Sequence, residues 1–187
     1  MLKRSSYTFV ETLKNYKQIK AISDSQKLDS ITQLTFDNLN NMGVKYLALD
    51  FDGVLASHGK QAINNEVKIW LDAFVTKFDE DKIFILSNKP TNERLEFFKS
   101  NYQQIRFISD VRKKPYPDGL QKIIQILNCQ PRELALVDDR LLTGCLACII
   151  AKCQPILITE PYVDRENYTT SERFFSVLRT IEQKLFL

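Results

Sequence analysis

Five short apolar runs recur along the chain: Tyr46–Leu49, Ile83–Leu86, Ile105–Ile108, Leu134–Val137 and Pro155–Ile158. Each is too short for a core helix and is rich in aliphatic residues, which predicts strands buried on both faces. Between them the apolar period changes. Val67, Trp70, Leu71, Phe74 and Phe78 fall at helical spacing, as do Leu120, Ile123, Ile124 and Leu127. Pro90-Thr91 predicts a helix start over Asn92–Ser100, and Leu141–Lys152 and the series Phe174, Leu178, Ile181, Leu185 predict two more helices. Strands alternating with helices predict right-handed βαβ units. The expected architecture is α/β, a Rossmann-like three-layer sandwich with a mostly parallel sheet of about five strands.

The pattern divides the chain into an N-terminal helical, basic extension, 1–43, packed on or flanking the core, and an α/β domain, 44–187. Within the extension Phe9, Leu13 and Tyr16 are helically spaced with lysines between them. Such a helix either lies on an anionic membrane surface or packs on the domain with its basic face in water. Ser23–Asn41 is polar apart from Ile31, Leu34 and Phe36 and reads as a connection.

At 187 residues and 44% hydrophobic content the chain can bury a sizeable core, which excludes disorder throughout. No apolar run approaches the ~20 residues that span a bilayer, and the N-terminus lacks a secretory apolar region. A soluble, cytoplasmic protein is expected, with peripheral membrane contact through residues 1–20 as the further expectation. Cys145, Cys148 and Cys153 sit within or beside one apolar helical segment, with Cys129 apart, which reads as buried thiols in a reducing compartment rather than a zinc site or disulfide framework. Lys3, Arg4, Lys14, Lys17 and Lys20 face Glu11 alone, so the first twenty residues carry +4 and the rest −1 of a net +3. A nearly neutral body argues against nucleic-acid binding.

The first core strand ends in Asp50-Phe51-Asp52-Gly53-Val54. An acidic turn after a buried strand is one explanation. The other is phosphoryl transfer, in which one carboxylate attacks phosphorus, the second carries a proton, and a divalent cation offsets the charge. Polar groups also follow the other strands: Ser87 and Asn88, then Lys114 in the loop Lys113-Lys114-Pro115, then Asp138 and Asp139. A parallel sheet brings all these carboxyl ends to one edge, where ligands bind. His58, a lone histidine in a polar loop, reads as exposed.

In this order the motifs resemble the haloacid dehalogenase (HAD) superfamily of aspartate-based phosphatases. Over Lys113–Gly144 they look most like subgroup IIIA, which includes phosphatidylglycerophosphate phosphatases. The resemblance implies that Asp50 is the nucleophile and Asp52 the proton carrier. It implies that Ser87, Asn88 and Lys114 hold the phosphate. Mg2+ would be bound by Asp50, Asp52 through its carbonyl, Asp138 and Asp139. It also implies a phosphorylated substrate, a lipid headgroup or a small molecule. The short intervals Ala56–Asn64 and Lys89–Arg112 leave no room for a cap domain, so the catalytic face is expected to be open. One departure stands out. The subgroup pattern Gly-Asp-Arg-x-x-Thr-Asp reads Asp138-Asp139-Arg140-Leu141-Leu142-Thr143-Gly144 here, with glycine and second acid exchanged. That exchange raises an alternative, a catalytically impaired domain that binds a phosphorylated ligand or protein, and leads one to expect that Gly144→Asp would lower the Mg2+ requirement. A phosphotransferase that passes the Asp50 phosphoryl group to another acceptor is a third reading.

Overall fold

A computed structural model of the chain describes residues 2–22, 26–164 and 170–186. Its centre is a fully parallel sheet in the order β1-β6-β5-β2-β3-β4. The strands are β1 (Lys27–Leu28), β2 (Tyr46–Leu49), β3 (Ile83–Ile85), β4 (Arg106–Phe107), β5 (Leu134–Asp138) and β6 (Gln154–Ile158). The helices are α1 (Leu2–Lys14), α2 (Tyr16–Lys20), α3 (Phe36–Asn41), α4 (Asn65–Phe74), α5 (Asn92–Asn101), α6 (Asp118–Leu127), α7 (Leu146–Ala151) and α8 (Thr170–Phe186). This is the α/β three-layer arrangement that the alternating pattern predicts.

Strand alternation assigns residues to two faces. Leu47 and Leu49 join Ile83, Ile85, Ala135 and Val137 on the face covered by α3, α4 and α5, where Leu39, Val67, Leu71, Phe74 and Phe98 pack. Ala48, Phe84, Leu134 and Leu136 face the other way, against Leu120 and Ile123 of α6 and Ala147, Cys148 and Ala151 of α7. Truncating any of these aliphatic side chains to alanine is expected to cost about 2–5 kcal/mol. A third cluster joins the ends of the chain: Ile19 and Ile22 meet Leu141, Leu146, Leu157 and Phe186.

The sheet has six strands rather than five. The extra one, β1, lies in the stretch read as a connection, and its two residues pair with β6 at Lys27↔Leu157 and Leu28↔Ile158. Two half-buried edge residues carry no period to read. The same stretch, of which residues 23–25 lie outside the described residues, also holds α3, started by a capping box between Thr35 and Asn38. Ile31, Leu34 and Leu39 belong to the main core, and Trp70 is fixed there by donating its indole N–H to the Leu34 carbonyl at 2.9 Å.

α1 packs on the domain through Arg4 and Tyr7, leaving Phe9 and Leu13 exposed. Leu141–Lys152 is also not one regular helix: Leu141–Cys145 forms a π-turn before α7. Among the described residues no helix is long and apolar enough to cross a membrane.

Candidate active site

β2 delivers Asp50 to the carboxyl edge of the sheet, where its N–H still donates to the Val137 carbonyl at 2.9 Å. The Asp50 carboxylate accepts the Phe51 N–H at 2.8 Å and meets Lys114 Nζ at 3.0 Å. Lys114 is buried and bridges to Asp138 Oδ2 at 2.6 Å. Its loop is tied to the loop after β3, because the Lys114 N–H donates to Asn88 Oδ1 at 2.8 Å. Ser87 is buried beside them and its hydroxyl accepts the Lys89 N–H at 3.1 Å. The four strand ends therefore converge as their positions in the sheet require.

Asp50, Asp138 and Asp139 each place a carboxylate oxygen within 4.8 Å of the others, all buried. Burial pushes the Asp50 carboxyl well above the usual carboxylate range; Lys114 opposes this, while Asp138, Asp139 and Asp52 add to it. Burial and the Asp138 charge likewise raise Asp139 to about 6, against the pull of Arg179. Three crowded, desolvated oxygen donors call for a cation, and hard carboxylate oxygens suit Mg2+. The backbone supports the cluster by close approach. Gly53 has φ +85°, and a Cβ there would lie 2.5 Å from Asp139 Oδ2.

Gly144 has a similar role and resolves the exchanged motif. A Cβ at this position would lie 2.0 Å from Asp138 Cγ. The π-turn lays the Gly144 backbone against the Asp138 carboxylate, so an acid at 138 and a side chain at 144 exclude each other. The departure from the subgroup pattern is thus a reciprocal swap: one acid is kept, launched from the strand end instead of the turn. The expectation that Gly144→Asp would assist metal binding is overturned by this contact.

Asp52 is positioned differently from the other acids. Its side chain is outside the three-carboxylate cluster, which leaves its backbone carbonyl, the group the resemblance implies, as the part of Asp52 that would face a metal. Both oxygens are held by Arg94, at 2.6 and 3.0 Å, and Oδ1 also accepts the Gly59 N–H at 3.2 Å. Burial raises the Asp52 pKa, but the Arg94 hydrogen bonds and charge outweigh it and hold the carboxyl below the usual range. Arg94 itself is 1% exposed and stacks over the Phe51 ring at 3.8 Å. A charged residue on the inner face of a weakly patterned helix was its only sequence signal.

His58 is also not the exposed residue expected. It stacks on Phe175 of α8 at 4.6 Å, and its Nδ1 lies 4.0 Å from Asp52. Burial, with Arg179, Arg140 and Arg94 nearby, lowers its pKa to about 4 despite the pull of Asp52. It is therefore neutral near pH 7.

A cleft of about 520 Å3 opens over Asp50, Asp52 and Asp139, with Arg4, Lys113 and Phe175 among its walls. Arg4 reaches it from α1, its Nε donating to the Lys114 carbonyl at 2.8 Å. Arg179, from α8, meets Asp139 Oδ2 at 2.5 Å. Both lie far from the motifs: Arg4 reads in the sequence only as one of the basic residues of the N-terminal segment, and nothing in the pattern points to Arg179.

The family model described as mitochondrial PGP phosphatase matches residues 4–162, most of the chain and all four motif loops. The chain belongs to this family. It is a HAD-type phosphatase. No curated protein matches the chain significantly. Among solved structures, an uncharacterised protein from Corynebacterium glutamicum is similar at 17% identity, over 75% of this chain and 96% of that one, with a TM-score of 0.49. The N-terminal part of a Bacteroides fragilis protein, containing a phosphatase domain complexed with Mg, is similar at 18% identity over 72% of this chain and 40% of that one, TM-score 0.46. A haloacid dehalogenase-like hydrolase from Streptococcus pneumoniae matches at 12% identity over 67% and 89%, TM-score 0.42.

Proposed function

We propose that this phosphatase hydrolyses phosphomonoesters with Mg2+ through an aspartyl-phosphate on Asp50. The observation that carries the reading is the Asp50–Lys114–Asp138 bridge at 3.0 and 2.6 Å, set in a cluster of three buried carboxylates at the sheet's carboxyl edge. Asp50, Asp138 and Asp139, with the Asp52 carbonyl, would hold the cation. When bound, Mg2+ supplies positive charge against the transferring phosphoryl oxygens.

An Asp50 carboxylate oxygen attacks phosphorus and the ester P–O bond breaks. The leaving alkoxide takes a proton from Asp52. Asp52 then accepts a proton from water, whose oxygen attacks phosphorus and frees Asp50 and inorganic phosphate. Lys114 holds Asp50 aimed and offsets phosphoryl charge, while Ser87 donates to a phosphoryl oxygen and Asn88 fixes the Lys114 loop. Arg94 favours the base form of Asp52, the form the second half-reaction uses. The acid form requires that ion pair to open.

The substrate we assign is an exposed phosphate on a lipid headgroup, phosphatidylglycerophosphate or a close relative. The family's description supports this, as does a cleft not enclosed by an inserted domain, with the basic helix α1 at its wall. Contact with an anionic membrane through residues 1–20 follows from the same helix, at about 1 kcal/mol per basic residue near such a surface. Deleting those residues should abolish sedimentation with anionic liposomes. The four cysteines are free, in keeping with an interior, reducing compartment, cytoplasmic or organellar. The impaired-domain reading loses its motive, since Asp138 supplies the acid missing at 144.

Phosphate release from an aryl phosphate, with and without Mg2+, is the test, with Asp50→Asn as the blank. Equal rates for the two proteins would overturn the activity. A panel of phosphorylated lipids, and of alcohol acceptors, then separates lipid hydrolysis from small-ester hydrolysis and phosphotransfer.

A further inference from the structure

α8 is built the opposite way from an ordinary surface helix. Its outer side carries Phe174, Val177, Ile181 and Leu185, all exposed, while Arg179 and Glu182 are buried against the catalytic loops. Its seat is mainly polar. Arg179 Nη1 meets Asp139 Oδ2 at 2.5 Å and lies 3.4 Å from His58 Nε2. Glu182 pairs with Arg140 and accepts the Leu142 N–H at 3.3 Å. Only near its end, at Phe186, does α8 join an apolar cluster.

The contact that matters is the one with Asp139. Among the described residues, the cluster holds three carboxylates, Asp50, Asp138 and Asp139, facing Lys114 and Arg179. Asp52 is balanced by Arg94, and Arg140 by Glu182. With Arg179 seated, the cluster is left with a single net negative charge, and without it two. A guanidinium against a ligand carboxylate thus lowers the attraction for a divalent cation and occupies one of its oxygens. Nor is the guanidinium fully satisfied in its seat, because Nη2 is buried with no hydrogen-bond partner among the described residues. A seat made of charge pairs, with an unfulfilled donor, can be undone by a competing charge in a way that an apolar seat cannot.

We infer that Arg179 and the divalent cation compete for Asp139, so that the C-terminal helix is an inhibitory strap that metal binding releases. This inference rests on the reading of Asp50, Asp138 and Asp139 as the metal site. It concerns α8 alone, which adds to that site from beyond the motif loops. Arg179 is a positioning residue here, acting through Asp139.

Two measurements on the full chain test it. Calorimetric titration with Mg2+ should give an affinity on the order of tenfold higher for Arg179→Gln than for wild type, as expected when one nearby positive charge is removed from a buried cation site. Hydrogen exchange of α8 should speed up when wild type is saturated with Mg2+, and should be fast with or without Mg2+ in Arg179→Gln. Phe186→Ala, which loosens the apolar end of α8 without changing a charge or touching Asp139, should also raise Mg2+ affinity, by less, and serves if Arg179→Gln folds poorly. Equal or weaker Mg2+ binding by both variants, or α8 that is equally or better protected with Mg2+, overturns the strap. Wild type binding Mg2+ with an affinity that Asp139→Asn destroys but Arg179→Gln leaves unchanged would sink the strap and keep the metal site. No Mg2+ binding by any of these proteins would sink both.

Discussion

The swap between positions 138 and 144 can be tested by reversing it. Gly144→Asp alone sets a Cβ 2.0 Å from Asp138 Cγ and 2.1 Å from its Oδ2. Asp138 is fully buried and cannot move aside without losing the 2.6 Å contact with Lys114 and the 2.9 Å hydrogen bond from the Arg140 N–H. Overpacking of this kind costs about 1–3 kcal/mol, before the repulsion of a second buried carboxylate is added. Asp138→Gly alone leaves Lys114 Nζ with Asp50 only, and removing one partner of a buried pair costs about 3–5 kcal/mol. Each single change should therefore cost about 3 kcal/mol, which for a chain of this size lowers the Tm by roughly 6–12 °C. The double change Asp138→Gly/Gly144→Asp restores one acid and one glycine in the family order. It should be more stable than either single variant, which requires a coupling of more than about 3 kcal/mol in the double-mutant cycle. Urea and thermal unfolding of the four proteins measure this, and Mg2+ titration should show binding recovered in the double variant. Additive losses, or a Gly144→Asp protein as stable as wild type, would refute the exclusion of one position by the other.

Three further outcomes follow from the charges around the site. Arg94→Leu should cost about 3–5 kcal/mol by stranding Asp52. By removing the group that lowers the Asp52 pKa it should also move the basic limb of the kcat/KM profile, where Asp52 must be protonated to supply the leaving alkoxide, to higher pH, and an unmoved limb would take Asp52 out of the proton relay. Asp139 titrates near 6 without metal, so Mg2+ binding must displace a proton below that pH. The rise in Tm on adding Mg2+ should therefore be larger at pH 7 than at pH 5, and a pH-independent rise would contradict this. His58, depressed to about 4, binds a proton in the unfolded chain before it does in the folded one, so its contribution is present above about pH 6.5 and is lost as pH falls toward 4. Relative to His58→Phe, which keeps the ring stack, wild type should lose up to about 3 kcal/mol over that interval, at about 1.4 kcal/mol per pH unit. Parallel stability curves would refute the assignment.

What could be read from the sequence were the features with a strong period or a fixed place in the topology. Ile83–Ile85 and Leu134–Val137 are unbroken apolar runs, and their carboxyl ends carry Ser87, Asp138 and Asp139 to the edge that Asp50 shares. β1 could not be read, because two edge residues have no alternation. α8 was legible as a helix, though its orientation was not. Its apolar spacing marks a helix but does not say which side is buried, and Phe174, Ile181 and Leu185 point outward while Arg179 and Glu182 point inward. Arg94, Arg179 and Arg4 reach the site from helices rather than strand ends, so the rule that located the other residues did not apply to them. Gly144 was legible as a departure. Its meaning required the distance to Asp138.

The central claim is that Asp50 takes the phosphoryl group. It is tested most directly by acid-quenching the enzyme during turnover of an aryl phosphate with Mg2+ and mapping the modified peptide by mass spectrometry. The account predicts a phosphoryl group on Asp50, absent without Mg2+ and absent in Asp50→Asn, which should also release no phosphate. A phosphoryl group on another residue, or Mg2+-dependent phosphate release that persists in Asp50→Asn, would contradict it.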